Sequence, residues 1–154
     1  MAPQLIFADH YVLTVENIEN SVSWYERVLG MRRHEWQDAG GTVRVSLHWR
    51  EGAGRWRKIN LHQAGTEIAP HAKSPTAGSA DLCFIIDYSV NRMQEHLKEC
   101  GVAVELGPVN RTGAMGGIAS LYVRDPDGNL IELSEDLMSR HGHVAEWESQ
   151  HPRE

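Results

Sequence analysis

The chain has 154 residues, a formal net charge of −6 at pH 7, 41% hydrophobic residues and 23% charged residues. This length suits one domain, and this composition is typical of a globular protein rather than a disordered one. The acidic balance and the lack of Lys/Arg runs argue against nucleic acid and anionic membrane surfaces as partners. No apolar stretch approaches the roughly 20 residues that span a bilayer, no secretory pattern opens the sequence, and there are only two cysteines. These features predict a cytoplasmic protein.

The first half of the chain has the pattern of a strand, a helix and further strands. Residues 9–15 (Asp-His-Tyr-Val-Leu-Thr-Val) are rich in β-branched and aromatic side chains, which favour a strand. Asn17 is a suitable N-cap for a helix whose apolar residues recur every three or four positions, and Gly30 suits its left-handed C-terminus. Residues 43–47 and 58–62, joined by a polar turn rich in Gly and Arg, predict a hairpin.

A long loop separates this half from a second one. Residues 63–79 contain two prolines and two glycines with little periodicity, so we expect a linker there. Residues 81–86 then predict a strand, and Ser89 is placed to cap a second amphipathic helix. Residues 102–105 predict the start of another strand, which the Gly-Pro pair at 107–108 is expected to break.

The chain ends its second half with a hairpin and thereby repeats its first half. Residues 118–123 and 130–133 are joined by the turn Asp-Pro-Asp-Gly at 125–128, which we interpret as turn chemistry. The order of one strand, one helix and three strands recurs with a period of about seventy residues, which indicates an internal repeat. It predicts an α+β fold in which two βαβββ modules form an open, curled, mixed-sheet cup. We assign one domain to residues 5–137, with modules at about 7–64 and 79–135, and a C-terminal tail to residues 138–154.

Strand alternation predicts which side chains of the first half point away from the helix. His10, Val12 and Thr14 share one face of the first strand, and Asn60 and His62 share a face of the returning strand. Because each helix covers one face of its sheet, the other face is where we expect chemistry. His62 also fits the simpler interpretation of a polar residue at the edge of a sheet.

The second half places two carboxylates at corresponding positions. Asp81 occupies the place of His10, although it is also explained as a polar residue that begins a strand. Glu132 lies at the centre of an otherwise apolar strand, where a carboxylate is costly to bury unless it is paired or bound to metal. We therefore predict that Glu132 binds a metal ion; the alternative is an ion pair with an arginine, for which the candidates are Arg44, Arg111 and Arg124.

Two sequence stretches resemble a known family. The run from His10 to Met31, which closes with Val-Leu-Gly-Met, and the stretch 125–133 (Asp-Pro-Asp-Gly-Asn-Leu-Ile-Glu-Leu) resemble the opening and the C-terminal signature of the vicinal oxygen chelate superfamily. This is the glyoxalase/bleomycin-resistance/dioxygenase group, and the similarity extends from Phe7 to Glu135. The chain is most similar to a subgroup of small glyoxalase-domain-containing proteins. The resemblance implies a cup that is completed by dimerisation and holds a divalent metal, which chelates two neighbouring substrate oxygens.

The resemblance also implies metal ligands at His10, His62, Asp81 and Glu132. His10 matches the histidine of the family's first strand, and Glu132 matches the glutamate of its last strand. Asp81 stands where glyoxalase I has a histidine and Asn60 where it has a glutamate, so the ligand set of glyoxalase I is not reproduced. Whether Asn60, His62 or Asp81 completes the set stays open. Such donors predict a divalent Fe, Mn, Ni or Zn ion.

The function implied by these features is that of a divalent-metal-dependent enzyme acting on a small substrate. In lyase or isomerase chemistry, Glu132 and Asp81 are the candidates for moving a proton while the metal stabilises an enolate. One alternative is an extradiol-type dioxygenase or a thiol transferase on the same fold. Another is a metal-independent protein that binds a small molecule or an antibiotic and confers resistance. We expect a homodimer, with Trp49 and Trp56 as candidates for lining the mouth of the site.

Overall fold

The computed structural model describes residues 3–51 and 54–138. The chain divides into two compact units, of which the first combines the residues up to Ala80 with Asp125–Asn129. The second combines Asp81–Arg124 with the described residues from Leu130 onward. Apart from Met138, the predicted C-terminal tail lies outside the described residues. No helix in the described part of the chain is long and apolar enough to cross a membrane.

The first unit contains one strand, one helix and three further strands. Their bounds are β1 (His10–Val15), α1 (Ile18–Leu29), β2 (Arg32–Gln37), β3 (Val43–Arg50) and β4 (Trp56–Gln63). They form a four-stranded sheet in the order β1-β4-β3-β2, in which β1 and β4 are parallel and the other neighbours are antiparallel. The parallel pair requires the crossover that α1 begins.

The ends of α1 follow from the residues that flank it. The side chain of Asn17 accepts a hydrogen bond from the backbone N–H of Asn20 at 2.9 Å, which satisfies a donor that the helix itself leaves unpaired. Gly30 ends the helix at φ 63°, a left-handed conformation that glycine adopts without a steric cost. Both predicted helix ends are confirmed.

The core of the first unit lies between α1 and one face of the sheet. Apolar side chains at alternate strand positions are buried there, because successive side chains of a strand point to opposite faces. Those from the helix are Val22, Tyr25 and Val28, and those from the strands are Leu13, Val15, Leu47, Ile59 and Leu61. The even-numbered strand residues are consequently left on the face opposite the helix.

The second unit repeats the element order of the first. It comprises β5 (Asp81–Ile86), α2 (Val90–Glu99), β6 (Leu106–Gly113), β7 (Gly116–Arg124) and β8 (Leu130–Asp136). The sheet order is β5-β8-β7-β6, again with one parallel pair, β5 and β8. The prediction of an α+β fold built from two βαβββ modules is therefore confirmed.

The position of β6 differs from the sequence prediction. The strand begins at Leu106 rather than in residues 102–105, and it continues through the Gly-Pro pair instead of ending there. The register with β7 shifts between Leu106 and Val109, so the strand bulges where Pro108 has no N–H to donate. Gly107 has φ 118°, and a Cβ at this position would lie 2.4 Å from the carbonyl oxygen of Ser120. Only glycine fits this bulge. Pairing with β7 resumes at Val109, so the Gly-Pro pair interrupts the strand without ending it.

Candidate functional site

The first sheet has one face that is not covered by α1, and we call it the first open face. The strand register aligns its members in rows, for example Thr14 with His62 and His62 with Arg44 in the neighbouring strands. None of these strand positions is acidic. The members of the face are His10, Val12, Thr14, Arg32, His34, Trp36, Arg44, Ser46, His48, Arg50, Trp56, Lys58, Asn60 and His62.

His10 and His62, the two predicted ligands of this unit, lie at different ends of the first open face. His10 is exposed, is opposite Lys58, and bonds through Nδ1 to the carboxylate of Asp9 at 2.8 Å. That hydrogen bond is the main reason why the pKa of Asp9 is lowered. Because His62 pairs with Thr14, the two histidines are offset by four residues along parallel strands, roughly 13 Å. The structure therefore does not bring them together.

His62 is buried, with 4% of its surface exposed, and one of its ring nitrogens has no hydrogen-bond partner in the described part of the chain. Its Nε2 lies 3.3 Å from a guanidinium nitrogen of Arg44, and since arginine can only donate, Nε2 is the acceptor. Burial, followed by the charge of Arg44, lowers the pKa of His62. A neutral ring that accepts at Nε2 carries its proton on Nδ1, and this buried N–H has no partner among the described residues.

Asn60 is the second residue of this face with an unpaired buried atom. It occupies the position where glyoxalase I has a glutamate ligand, opposite Val12 on β1 and Ser46 on β3. In the described part of the chain, its Oδ1 accepts no hydrogen bond, although the residue is only 9% exposed. A buried amide oxygen without a partner is costly, so this atom is suited to accept a donor from a bound molecule.

A cavity of about 150 Å³ lies at the His62 end of the first unit, and we call it the His62 cavity. On the strand side it is lined by Val12, Thr14 and His62, and on the other side by loop residues between Pro70 and Ala80. Asn129 also contributes, although its side chain already accepts from the N–H of Ala80 at 2.9 Å. The loop that sequence analysis treated as a linker thus forms one wall of a cavity.

The loop wall depends on glycine at position 78, which gives a testable prediction. Gly78 has φ 75°, and a Cβ there would lie 2.5 Å from the carbonyl oxygen of Asp127. Replacing Gly78 with alanine should lower the free energy of unfolding by roughly 2 to 3 kcal/mol, since backbone strain and a backbone clash act together. The measurement is urea unfolding, with Gly65→Ala as control. Gly65 has φ 81° but no atom within 4 Å of its Cβ position, so strain alone should cost about 1 kcal/mol. Equal losses in the two variants would contradict the clash.

An aromatic row crosses the first open face beside a lysine. The ring centroids of His34 and His48 are 5.1 Å apart, and those of His48 and Trp56 are 6.4 Å apart. The ammonium of Lys58 lies 4.7 Å from the ring centroid of Trp36, which stacks on His34. Burial, then the charges of His34 and Lys58, lowers the pKa of His48. We refer to Trp36, His34, His48 and Trp56 as the aromatic row; sequence analysis singled out Trp56 but missed its neighbours and Lys58.

The uncovered face of the second sheet is organised around Glu132. This residue lies between Cys83 on β5 and Tyr122 on β7. Its carboxylate accepts from the hydroxyl of Ser134 at 3.4 Å, and Ser134 contacts Ser120 at 2.9 Å. Asp81 pairs with Leu130, so Asp81 and Glu132 are two positions apart on neighbouring strands. His10 and Asn60 occupy the equivalent positions in the first unit.

The arginines that sequence analysis considered as partners of Glu132 bond elsewhere. Arg111 donates to the hydroxyl of Tyr122 at 3.1 Å, Arg124 donates to Glu105, and Arg44 donates to His62 and to Asp38. Tyr122 has a raised pKa, first because of burial and also because of its hydrogen bond with Glu132. A carboxylate next to a phenol is an arrangement that can hold or move a proton.

Each unit offers few donors for a divalent metal. Among residues 3–51 and 54–138, no group of three or more His, Cys, Asp or Glu side chains is placed to hold a metal ion. The first unit supplies His10 with the amide oxygen of Asn60, and the second supplies Asp81 with Glu132. Two donors do not complete a structural or catalytic site. The metal and its ligands therefore stay a prediction.

Comparison with known proteins identifies the family. Residues 8–133 match the model of the Glyoxalase/Bleomycin resistance protein/Dioxygenase superfamily, and the chain belongs to this superfamily. The resemblance proposed from the sequence is thereby confirmed. Members of the superfamily bind small molecules and commonly bind divalent metals.

Two curated relatives and one solved structure are similar over most of the chain. The Virulence protein STM3117 of Salmonella typhimurium is 46% identical over 127 residues, 82% of each chain. The Glyoxalase domain-containing protein RDO1 of Mycosarcoma maydis is 47% identical over 126 residues, 82% of this chain and 66% of that protein. The structure of VPC_CASS1 from the mobile metagenome of V. Pseudocholerae has a TM-score of 0.79 and 44% identity, covering 88% of this chain and 98% of that one.

Proposed function

We propose that this protein binds a small, planar anion on the first open face. The single observation that supports this function is the aromatic row with the ammonium of Lys58 beside it, on strand positions that include no carboxylate. Planar rings stack on aromatic side chains, and a lysine charge attracts an anionic group. Arg44 adds less charge to this site, because Asp38 accepts from it at 3.4 Å.

A charge-removing variant tests this proposal. Lys58→Met keeps a long apolar side chain but removes the ammonium. The probes are benzoate, as a planar anion, and benzamide, as its neutral analogue. We expect the Kd of benzoate to rise about tenfold, since a hydrogen bond to a charged group contributes roughly 1.5 to 3 kcal/mol. The Kd of benzamide should stay the same. Titration calorimetry or ligand-observed NMR measures both constants.

Lys98→Met is the matched control, because Lys98 is an exposed residue at the end of α2 in the second unit. It removes the same charge from the chain, and we expect it to leave both constants unchanged. If Lys58→Met and Lys98→Met weaken benzoate equally, the effect is a matter of net charge and the proposed site is wrong. The same conclusion follows if wild-type protein binds benzamide as tightly as benzoate.

A second candidate function is divalent-metal-dependent lyase or isomerase chemistry, with Glu132 as the proton-moving group. The observation that favours it is the carboxylate of Glu132 next to Tyr122 and Ser134 on the uncovered face of the second sheet. Asp81, Glu132 and one of the two histidines, His10 or His62, remain the proposed ligands, because the histidines lie roughly 13 Å apart and cannot bind the same ion. Asp81 is the second proposed catalytic carboxylate. Elemental analysis of the purified protein, followed by chelator treatment, tests the metal: this candidate requires a stoichiometric Fe, Mn, Ni or Zn ion.

We also propose that the chain forms a homodimer and acts in the cytoplasm. The support for assembly is apolar exposure on the two uncovered sheet faces, where Val12 is 48% and Ile85 is 58% exposed. Exposed apolar side chains of this size are often covered by a second subunit.

A further inference from the structure

The unpaired N–H of His62 marks a second binding position on the first unit. His62 is one of the residues that line the His62 cavity, and only 4% of its surface is exposed, so bulk water does not satisfy this N–H. A cavity of about 150 Å³ is large enough for a molecule of roughly six non-hydrogen atoms, since an engineered apolar cavity of that size binds benzene. Lys58 is four residues away on β4, so this position is independent of the residues that support the proposed function.

The charges around the cavity indicate which oxygen acceptor fits it. Arg44, which bonds the other nitrogen of His62, is matched by Asp38. Backbone hydrogen bonds from its own N–H and from that of Gly65 are the main reason why the pKa of the Glu67 carboxyl is lowered, so it stays ionised at neutral pH. This carboxylate also interacts electrostatically with His71 and His62, which line the cavity. A second carboxylate in the cavity would be repelled by Glu67, whereas a neutral carbonyl would not.

We propose that the His62 cavity binds a neutral carbonyl group on a compact, largely apolar fragment, and that the Nδ1–H of His62 donates to the carbonyl oxygen. Val12 and the prolines of the loop supply apolar contacts, and Thr14, next to His62 in the register, supplies a hydroxyl at the same wall. The rest of such a ligand extends along the first open face, where the Oδ1 of Asn60, two residues from His62, accepts a hydroxyl or N–H donor.

The test uses two His62 variants that differ in one donor. His62→Asn keeps an N–H near the position of Nδ1, whereas His62→Leu has no donor, and both remove the acceptor of Arg44. The probe is cyclopentanone, which has six non-hydrogen atoms and one neutral carbonyl. We expect its Kd, measured by NMR titration, to be about fivefold higher for His62→Leu than for wild type. For His62→Asn it should stay within about twofold, and amide spectra establish that both variants are folded.

Two further arms complete the experiment. Isobutyrate has the same number of non-hydrogen atoms and a carboxylate, and we expect it to bind at least about fivefold more weakly than cyclopentanone, a gap that Glu67→Gln should narrow. Lys58→Met should leave the binding of cyclopentanone unchanged, which separates this inference from the proposed function. The proposal is overturned if wild-type protein does not bind cyclopentanone, if both His62 variants bind it equally, or if isobutyrate binds more tightly.

Discussion

Replacing Asp125 with alanine should lower the free energy of unfolding by roughly 3 to 5 kcal/mol, enough to unfold many small domains. Asp125 is 5% exposed and accepts four hydrogen bonds within the first unit. Its Oδ2 accepts from the hydroxyl of Tyr25 at 2.9 Å and from the side-chain amide of Asn129 at 2.7 Å. Its Oδ1 accepts from the backbone N–H groups of Asp127 and Asn129.

The large effect follows from the donors that this substitution leaves behind. Tyr25 is fully buried and Asn129 is 1% exposed, so neither finds water as a replacement partner. Burial, followed by the charge of Asp125, raises the pKa of Tyr25, and its hydroxyl therefore remains a donor at any pH at which the protein folds. Each buried donor left without an acceptor costs about 1 to 3 kcal/mol. Relaxation of the surrounding structure recovers part of the total when several donors are affected.

Urea unfolding monitored by tryptophan fluorescence measures the change in the free energy of unfolding. Two further variants, each of which removes fewer hydrogen bonds, serve as comparisons. Tyr25→Phe removes one donor and leaves the other three bonds, so we expect a loss of about 1 to 2 kcal/mol. Asp127→Ala removes bonds to the N–H of Glu16 and to Ser21 from a half-buried carboxylate, and should lie in the same range. A loss below 1 kcal/mol for Asp125→Ala would show that the network contributes little.

The second large effect is a loss of turnover in Glu132 variants, which we expect if the protein has the lyase or isomerase activity of the second candidate function. Glu132→Gln preserves the size of the side chain but removes its ability to take a proton, so turnover should fall by about a hundredfold or more. The assays cover α-oxo thiol adducts, thiol transfer to epoxides and catechol cleavage, each with and without chelator. Stability should change little, because the amide still accepts from Ser134.

Glu95→Gln, at an exposed position of α2, controls for the loss of one negative charge and should retain full turnover. Turnover that survives in Glu132→Gln would remove this residue from the mechanism. If metal-loaded wild-type protein is inactive in every assay, the enzyme itself is contradicted and the binding function stands alone.

Local signals made much of the fold predictable. Asn17 and Gly30 define α1 through capping and a left-handed C-terminus, which are properties of one or two residues. Alternation and turn residues predict the repeat of strand, helix and three strands, and this repeat aligns His10 with Asp81. These features depend on neighbours in the chain, so a single sequence is enough to detect them.

The features that escaped prediction depend on contacts distant in the chain. The residues of β2 (Arg-Arg-His-Glu-Trp-Gln) lack the apolar pattern of a strand. One face of this edge strand carries two members of the aromatic row, His34 and Trp36, and the opposite face carries only polar side chains. Lys58 appeared as a hairpin residue, and only the register with β1 places it opposite His10. The sequence Asp-Pro-Asp-Gly at 125–128 predicts a turn, which is confirmed, but it does not reveal the buried hydrogen bonds that Asp125 accepts from Tyr25 and Asn129.

The bond between Tyr25 and Asp125 joins residues that are 100 positions apart in the chain. On the ribosome, α1 emerges long before the residues that satisfy its tyrosine, so the amino-terminal module stays incomplete until most of the carboxy-terminal one has been synthesised. The two sequence repeats therefore do not correspond to two independent structural units, because the first unit includes residues of the second repeat. A fragment ending at Ala80 would lack Asp125–Asn129, and a rearrangement that preserves the first unit must carry this five-residue piece with it.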